Sequence, residues 1–176
     1  MSQNPNAISI RRGVATDNTL LAELGALAFA AAFAAENTPE NMAAYLAEHF
    51  SPAKQAAELA DPATAFLIAE QGGQAIGYAR LKTGPAPACI RGERPIEIVR
   101  FYAHPNCIGH GIGAALMRAC LDEATRLGCD TVWLDVWERN RRTIAFYQKW
   151  GFAVAGEQDF QLGDDLQHDL LMARLC

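Results

Sequence analysis

The sequence predicts an α/β fold, a sheet of about seven strands flanked by helices. Three observations point to it. Residues 97–152 read as strand, glycine loop, helix, strand and short helix. Residues 64–82 are apolar runs on either side of Gly72-Gly73, the pattern of a β-hairpin. Two further strand-like runs close the chain around the polar turn Leu162-Gly163-Asp164-Asp165.

In chain order, Ile8–Arg12 alternates apolar and polar residues, as an edge or half-buried strand does, and Ala15-Thr16-Asp17-Asn18 is a helix-start signal. Leu20–Phe33 is alanine-rich and apolar on more than one side, which suits a helix packed on a sheet. Thr38-Pro39 and Ser51-Pro52 each place a capping residue before a proline at the first helical position, so two short helices follow. Thr64–Glu70 and Gln74–Lys82 form the hairpin, and Gly84–Pro95, with three prolines and two glycines, is a loop. The strand Pro95–Ala103 comes next. Strict alternation puts Glu97, Val99, Phe101 and Ala103 on one face and Ile96, Ile98, Arg100 and Tyr102 on the other. Beyond the glycine loop, Ile112, Ala115, Leu116, Ala119, Cys120, Ala124 and Leu127 fall at helical spacing, with Arg118, Asp122, Glu123 and Arg126 on the wet side. Thr131–Trp137 is a strand, and a helix over 141–150 starts at the N-cap Asn140 and stops at Gly151. Ala153–Phe160 and Leu166–Leu175 are the final strands.

Length and composition suit one domain over 1–176: 51% of residues are hydrophobic and 20% charged, with no repeat and no second composition regime. The N-terminal Met-Ser-Gln-Asn-Pro-Asn-Ala lacks a basic stretch followed by an apolar run, and no window is expected to reach the length of a membrane span, so a cytoplasmic protein without a membrane partner is expected. Five cysteines without ligand spacing argue for free thiols and no metal site. A net charge of −5 disfavours nucleic acid and mildly favours a cationic ligand. A homodimer is compatible with the sequence.

The loop Gly109-His110-Gly111-Ile112-Gly113 opens a helix, so its amides and the first turn, through Ala114, are suited to an anion. No Asp or Glu occupies that first turn, which fits an anion from outside the chain. The GxxxxGK[ST] phosphate loop is absent. Gly109, Gly111 and Ala114 do satisfy GxGxxA, the dinucleotide fingerprint, but His104–Ile108 intervene between strand and first glycine, where that motif has almost nothing. An ordinary strand-to-helix turn remains the plain alternative. Cys107 lies beside the loop, but no His or acid is locally tied to it as a nucleophile would require. Asn140 and Tyr147 are seven residues apart, two helical turns, and so address the same side of their helix.

Phe101-Tyr102-Ala103-His104-Pro105, the glycine loop at 109–113 and the run Asn140–Phe152 (NRRTIAFYQKWGF) together resemble the GCN5-related N-acetyltransferases, the GNAT family. The tight resemblance covers about a third of the chain. Two positions depart from the family pattern: Ile108 stands where Gln or Arg is usual, and Thr143 where Ala is usual. The resemblance implies a mixed, mostly antiparallel, twisted sheet, splayed between two central parallel strands, Pro95–Ala103 and Thr131–Trp137. It also implies acetyl-CoA as donor. Its pyrophosphate would lie on the amides of Gly109, His110, Gly111, Ile112, Gly113 and Ala114, its pantetheine arm along Phe101, Tyr102 and Ala103, and Asn140 and Tyr147 would border it. A strand N–H there would polarise the acyl carbonyl. The loss of a polar side chain at Ile108 implies weaker donor binding, not its absence.

An alkylamine with a pKa of roughly 10.4 is almost wholly protonated at neutral pH, so a base is needed; Glu97 and Asp135 are the candidates on the two strands. Tyr147, a phenol of pKa roughly 10, can protonate a departing thiolate. The acceptor is expected to be a small-molecule primary amine. Residues 33–51 and 155–172 weakly resemble the bacterial spermidine/spermine branch of the family, so a polyamine is one candidate, met by Glu36, Tyr45 and Trp137 through charge and cation–π contact. The competing readings are a CoA-binding sensor without turnover and, from the GxGxxA match, a dinucleotide-dependent reductase.

Overall fold

A computed structural model describes residues 7–176. The N-terminal segment from which no leader is expected lies, up to residue 6, outside the described residues. Seven strands, β1 (Ile8–Arg12), β2 (Thr64–Gln71), β3 (Gln74–Thr83), β4 (Pro95–Ala103), β5 (Thr131–Trp137), β6 (Ala153–Leu162) and β7 (Asp165–Leu175), form one sheet in the order β1-β2-β3-β4-β5-β7-β6. Every neighbouring pair is antiparallel except β4 and β5, which run parallel. The crossover helix α4 (Ile112–Arg126) joins those two, as a parallel pair requires.

Two layers of helix cover the sheet. On one face α4 buries Ile112, Leu116, Met117, Cys120 and Ala124 against Leu67, Ala79, Leu81, Ile96, Ile98 and Val132. On the other, α1 (Asn18–Phe33) packs Leu21 and Leu24 on Phe66, Ile68 and Tyr78. The short helices α2 (Pro39–His49) and α3 (Pro52–Ala60) start as the sequence predicts: Thr38 Oγ1 accepts from Asn41 N at 3.2 Å and Ser51 Oγ from Lys54 N at 3.2 Å. The last helix, α5 (Arg141–Lys149), is capped by Asn140, whose Oδ1 accepts from Thr143 N at 3.3 Å, and is stopped at Gly151 with φ +85°.

Two expectations need correction. By length and composition the run Ala15–Glu36 would reach across a membrane, contrary to the reading of the sequence. It is α1 with its flanking 3₁₀ turns, and Leu21, Leu24, Ala28 and Phe29 are buried in the fold. The faces of β4 also do not alternate strictly. Arg80 pairs with Arg100 but Leu81 pairs with Ile98, so Val99 is the extra residue of a β-bulge. Ile96 and Ile98 therefore share the α4 face with Phe101 and Ala103, while Arg100 and Tyr102 turn to the α1–α3 side.

Candidate active site

β4 and β5 pair only at Pro95–Thr131, Ile96–Val132 and Glu97–Trp133. Beyond that rung β4 stays paired to β3 as far as Ala103–Gly77, and β5 to β7 as far as Trp137–Asp169. Each strand thus keeps its outer neighbour and loses its inner one. The facing edges from Ile98 and from Leu134 onward have backbone donors and acceptors that no strand of this sheet satisfies, and such groups need partners. The gap is a cavity of about 530 Å³ lined by both strands and floored by residues of α1, α2, α5, β6 and β7.

A second groove of about 370 Å³ continues from it over the start of α4, sharing Phe101, Ala103, Ile108 and Thr143 with the first. Gly109 and Gly111 have φ of +90° and +86°, and a Cβ at either would meet nothing within 4 Å, so the loop offers bare backbone to open space. Gly113 and Ala114 also line the groove. His110 is exposed and outside the lining, with its N–H donating to Cys107 O at 3.4 Å, and the Ile112 side chain is buried in the core, so at that position only the main chain is offered. Ile108, 48% exposed, puts an apolar side chain at the junction of the two cavities.

Glu97 lines the main cavity at the point where the strands part. Burial, and then the neighbouring Asp135 carboxyl, raise it to about 7, while Arg80 and Lys82 act the other way. Asp135 is also raised by burial; Gln158 Nε2 donates to its Oδ2 at 3.1 Å, and its carboxyl lies within hydrogen-bonding reach of Asp169. Asp169 is itself raised to about 7 by burial and by Asp135. Tyr147 lines the same cavity with its ring edge-on to Phe101 at 6.1 Å, and burial pushes its phenol well above the ordinary value. Tyr45, Trp137 and Asn140 are cavity-lining as well, although the Asn140 oxygen is engaged in its own helix cap.

Glu36 is not among the lining residues. Its carboxylate faces Arg139 at 3.7 Å on an exposed stretch beside a separate cleft of about 100 Å³. Sequence reasoning missed Asp169, which looks like one more acid near a surface turn. The signal was the alternation of β7, where Gln167, Asp169 and Leu171 share the buried face. It also missed the charged far wall, where Glu58 receives hydrogen bonds from Arg100 at 2.6 and 3.2 Å and lies 3.1 Å from Arg80 Nη1, all three residues buried.

Residues 28–152 match the profile of the acetyltransferase (GNAT) family. An uncharacterised N-acetyltransferase of Mycobacterium tuberculosis is 36% identical over 160 residues, 90% of this chain and 97% of that one. The spermine/spermidine N(1)-acetyltransferase of Bacillus subtilis is 32% identical over only 62 residues, 35% of this chain and 41% of that one. Among solved structures, the PaiA N-acetyltransferase of Thermoplasma acidophilum in complex with coenzyme A has the same fold, with a TM-score of 0.77 at 24% identity over 97% of this chain and 99% of that one. A likeness that runs through nearly the whole length of the mycobacterial relative leaves one family for the splayed sheet to represent: the chain belongs to the GNAT acetyltransferases, N-acetyltransferases whose donor is acetyl-CoA.

Proposed function

We propose that residues 1–176 act as one domain that moves an acetyl group directly from acetyl-CoA to a primary amine of a small molecule, with polyamines the class that fits best. The carrying observation is the position of Glu97, a carboxyl raised to about 7 at the fork of two strands, in a cavity that opens into a glycine-lined groove. The residues fit the donor: the open backbone at Gly109 and Gly111 and the first turn of α4 through Ala114 suit a diphosphate, although the His110 N–H is engaged by Cys107 O, and the unpaired edge of β4 through Phe101, Tyr102 and Ala103 suits the amides of a pantetheine arm. When bound, acetyl-CoA supplies an activated acyl thioester.

Glu97 takes the proton of the incoming ammonium, directly or through a water, which its raised pKa suits better than an ordinary carboxylate. Asp135 is less free for that role, because Gln158 and Asp169 engage its carboxyl. Tyr147, held neutral by burial, protonates the departing thiolate. Trp137 and Tyr45 line the cavity beside the cationic acceptor, Tyr45 with Phe29 stacked on its ring and Trp137 with Arg139 already over its own at 5.8 Å. A polyamine draws further support from the Bacillus subtilis relative, whose similarity covers the shorter share given above.

Thiol release from acetyl-CoA, measured over polyamines, amino acids, aminoglycosides and N-terminal peptides, tests the reading. Release is expected with small amines. Binding of the donor with no release over the whole panel would instead support a CoA-binding domain without turnover.

A further inference from the structure

One wall of the larger cavity carries two carboxyl groups that form no ion pair with a cation among the described residues. Asp169 on β7 stands opposite Trp137 on β5, and Asp135 opposite Leu171, so the two acids lie diagonally on one face of neighbouring strands. Asp169 is 7% exposed, and its Oδ1 is buried with no hydrogen-bond partner among the described residues, yet the residue lines the cavity. The one side chain among the described residues within hydrogen-bonding reach of Asp169 is the Asp135 carboxyl, another acid, so Oδ1 is left without a donor of its own and calls for an explanation. Gln158 reaches only Asp135.

The other charges around the cavity do not supply the missing one. Arg80 and Arg100 are drawn to Glu58 on the far wall, Lys54 lines that wall from the same helix as Glu58 and makes no ion pair with Asp135 or Asp169 among the described residues, and Glu97, across the fork, adds a third acid. The surrounding surface is aromatic instead. Phe33 and Trp137 lie 5.7 Å apart and Tyr45 and Phe160 5.8 Å apart, and all four line the cavity. Carboxylates backed by aromatic faces are how an alkylammonium is held.

We propose that Asp135 and Asp169 form a subsite for a second, protonated amine of the acceptor, remote from the amine that is acetylated. The enzyme then reads diamines and polyamines against monoamines of the same length. This rests on the small-amine acetyltransferase reading above and adds to it the residues that count the acceptor's charges.

The test compares propane-1,3-diamine and spermidine with propylamine, in the unaltered enzyme and in Asp169→Asn, which keeps the shape of the side chain and removes one charge. The unaltered enzyme is expected to favour the diamine at least tenfold in kcat/KM, and Asp169→Asn to lower that ratio at least fivefold, mostly through KM. No preference in the unaltered enzyme, or an unchanged ratio in the variant, overturns the subsite. Should the variant not fold, the diamine-to-monoamine comparison in the unaltered enzyme decides alone. Should the unaltered enzyme acetylate neither, the small-amine reading fails separately. Calorimetric titration of spermidine then still decides the subsite: binding at least tenfold weaker in Asp169→Asn supports it, and equal binding, or none to the unaltered enzyme, overturns it.

Discussion

Glu97 pairs with Trp133 at the last parallel rung between β4 and β5, so its carboxyl stands at the fork from which the cavity opens. Two strands that stayed paired would close the gap with their own hydrogen bonds. Their parting leaves backbone groups for an extended ligand to bond and places an acid at its inner end.

That position gives the rate a predicted pH dependence. A base works when deprotonated, and burial with the adjacent Asp135 raises Glu97 from 4.5 to about 7. The value of kcat/KM is therefore expected to rise with pH through about 7, and Glu97→Gln to lose at least tenfold in rate together with that limb. The same shift works against stability. The unfolded chain ionises this group near 4.5 and the folded one near 7, so folding takes up a proton between them and stability falls as pH rises across that window. Glu97→Gln, with no charge to bury, is expected to melt higher than the unaltered protein at pH 8 and equally at pH 4. Thermal melts at the two values check this.

Tyr147 is buried and its phenol is pushed well above its ordinary pKa, so the group stays protonated throughout the working range, as the proposed donor to the thiolate must. Tyr147→Phe removes the hydroxyl and keeps the ring against Phe101, Phe146 and Phe152. Turnover is expected to fall at least tenfold with little change in acetyl-CoA affinity. Single-turnover rates and donor titration separate the two, and an unchanged rate removes Tyr147 from the mechanism.

Most of the frame was legible because local chemistry sets it. Thr38 and Ser51 cap their helices through hydrogen bonds within three residues, and Pro95, Gly111 and Gly151 mark the ends of elements by their own backbone limits. What escaped was decided by distant partners. The bulge at Val99 depends on how β3 and β4 pair, and it shifts the facing of Arg100 and Tyr102. Asp159, Asp164, Asp165 and Asp169 look alike in sequence, and only the pairing of β7 with β5 buries the last beside Asp135. Glu36 shows the reverse, an acid near the expected channel whose charge faces Arg139 at the surface.

Gly111 is the N-cap of α4 at φ +86°, with open space where a side chain would start. Gly111→Ala is expected to cost roughly 1–2 kcal/mol in stability from the left-handed backbone alone. A methyl group would also project into the groove where the diphosphate is to lie, so KM for acetyl-CoA should rise at least fivefold while saturated turnover changes less. Denaturant unfolding and initial rates against donor concentration measure the two effects independently.

Glu58 holds the far wall together by standing between two buried guanidinium groups. Its carboxylate accepts from Arg100 Nη1 and Nη2 and lies 3.1 Å from Arg80 Nη1, with Gln55 Oε1 also accepting from Arg100 Nη1 at 3.1 Å. Removing the carboxylate leaves two buried like charges facing each other on the cavity wall, and breaking a buried pair from one side costs about 3–5 kcal/mol. Glu58→Ala is expected to lose stability on that scale by denaturant unfolding. Glu58→Gln keeps the volume and some hydrogen bonding but not the charge, and it should fall between the two. If Glu58→Ala lost less than about 1 kcal/mol, the ordinary worth of an exposed pair, the two arginines would have to find water or each other's carbonyl neighbours instead, and the wall would not be held by charge.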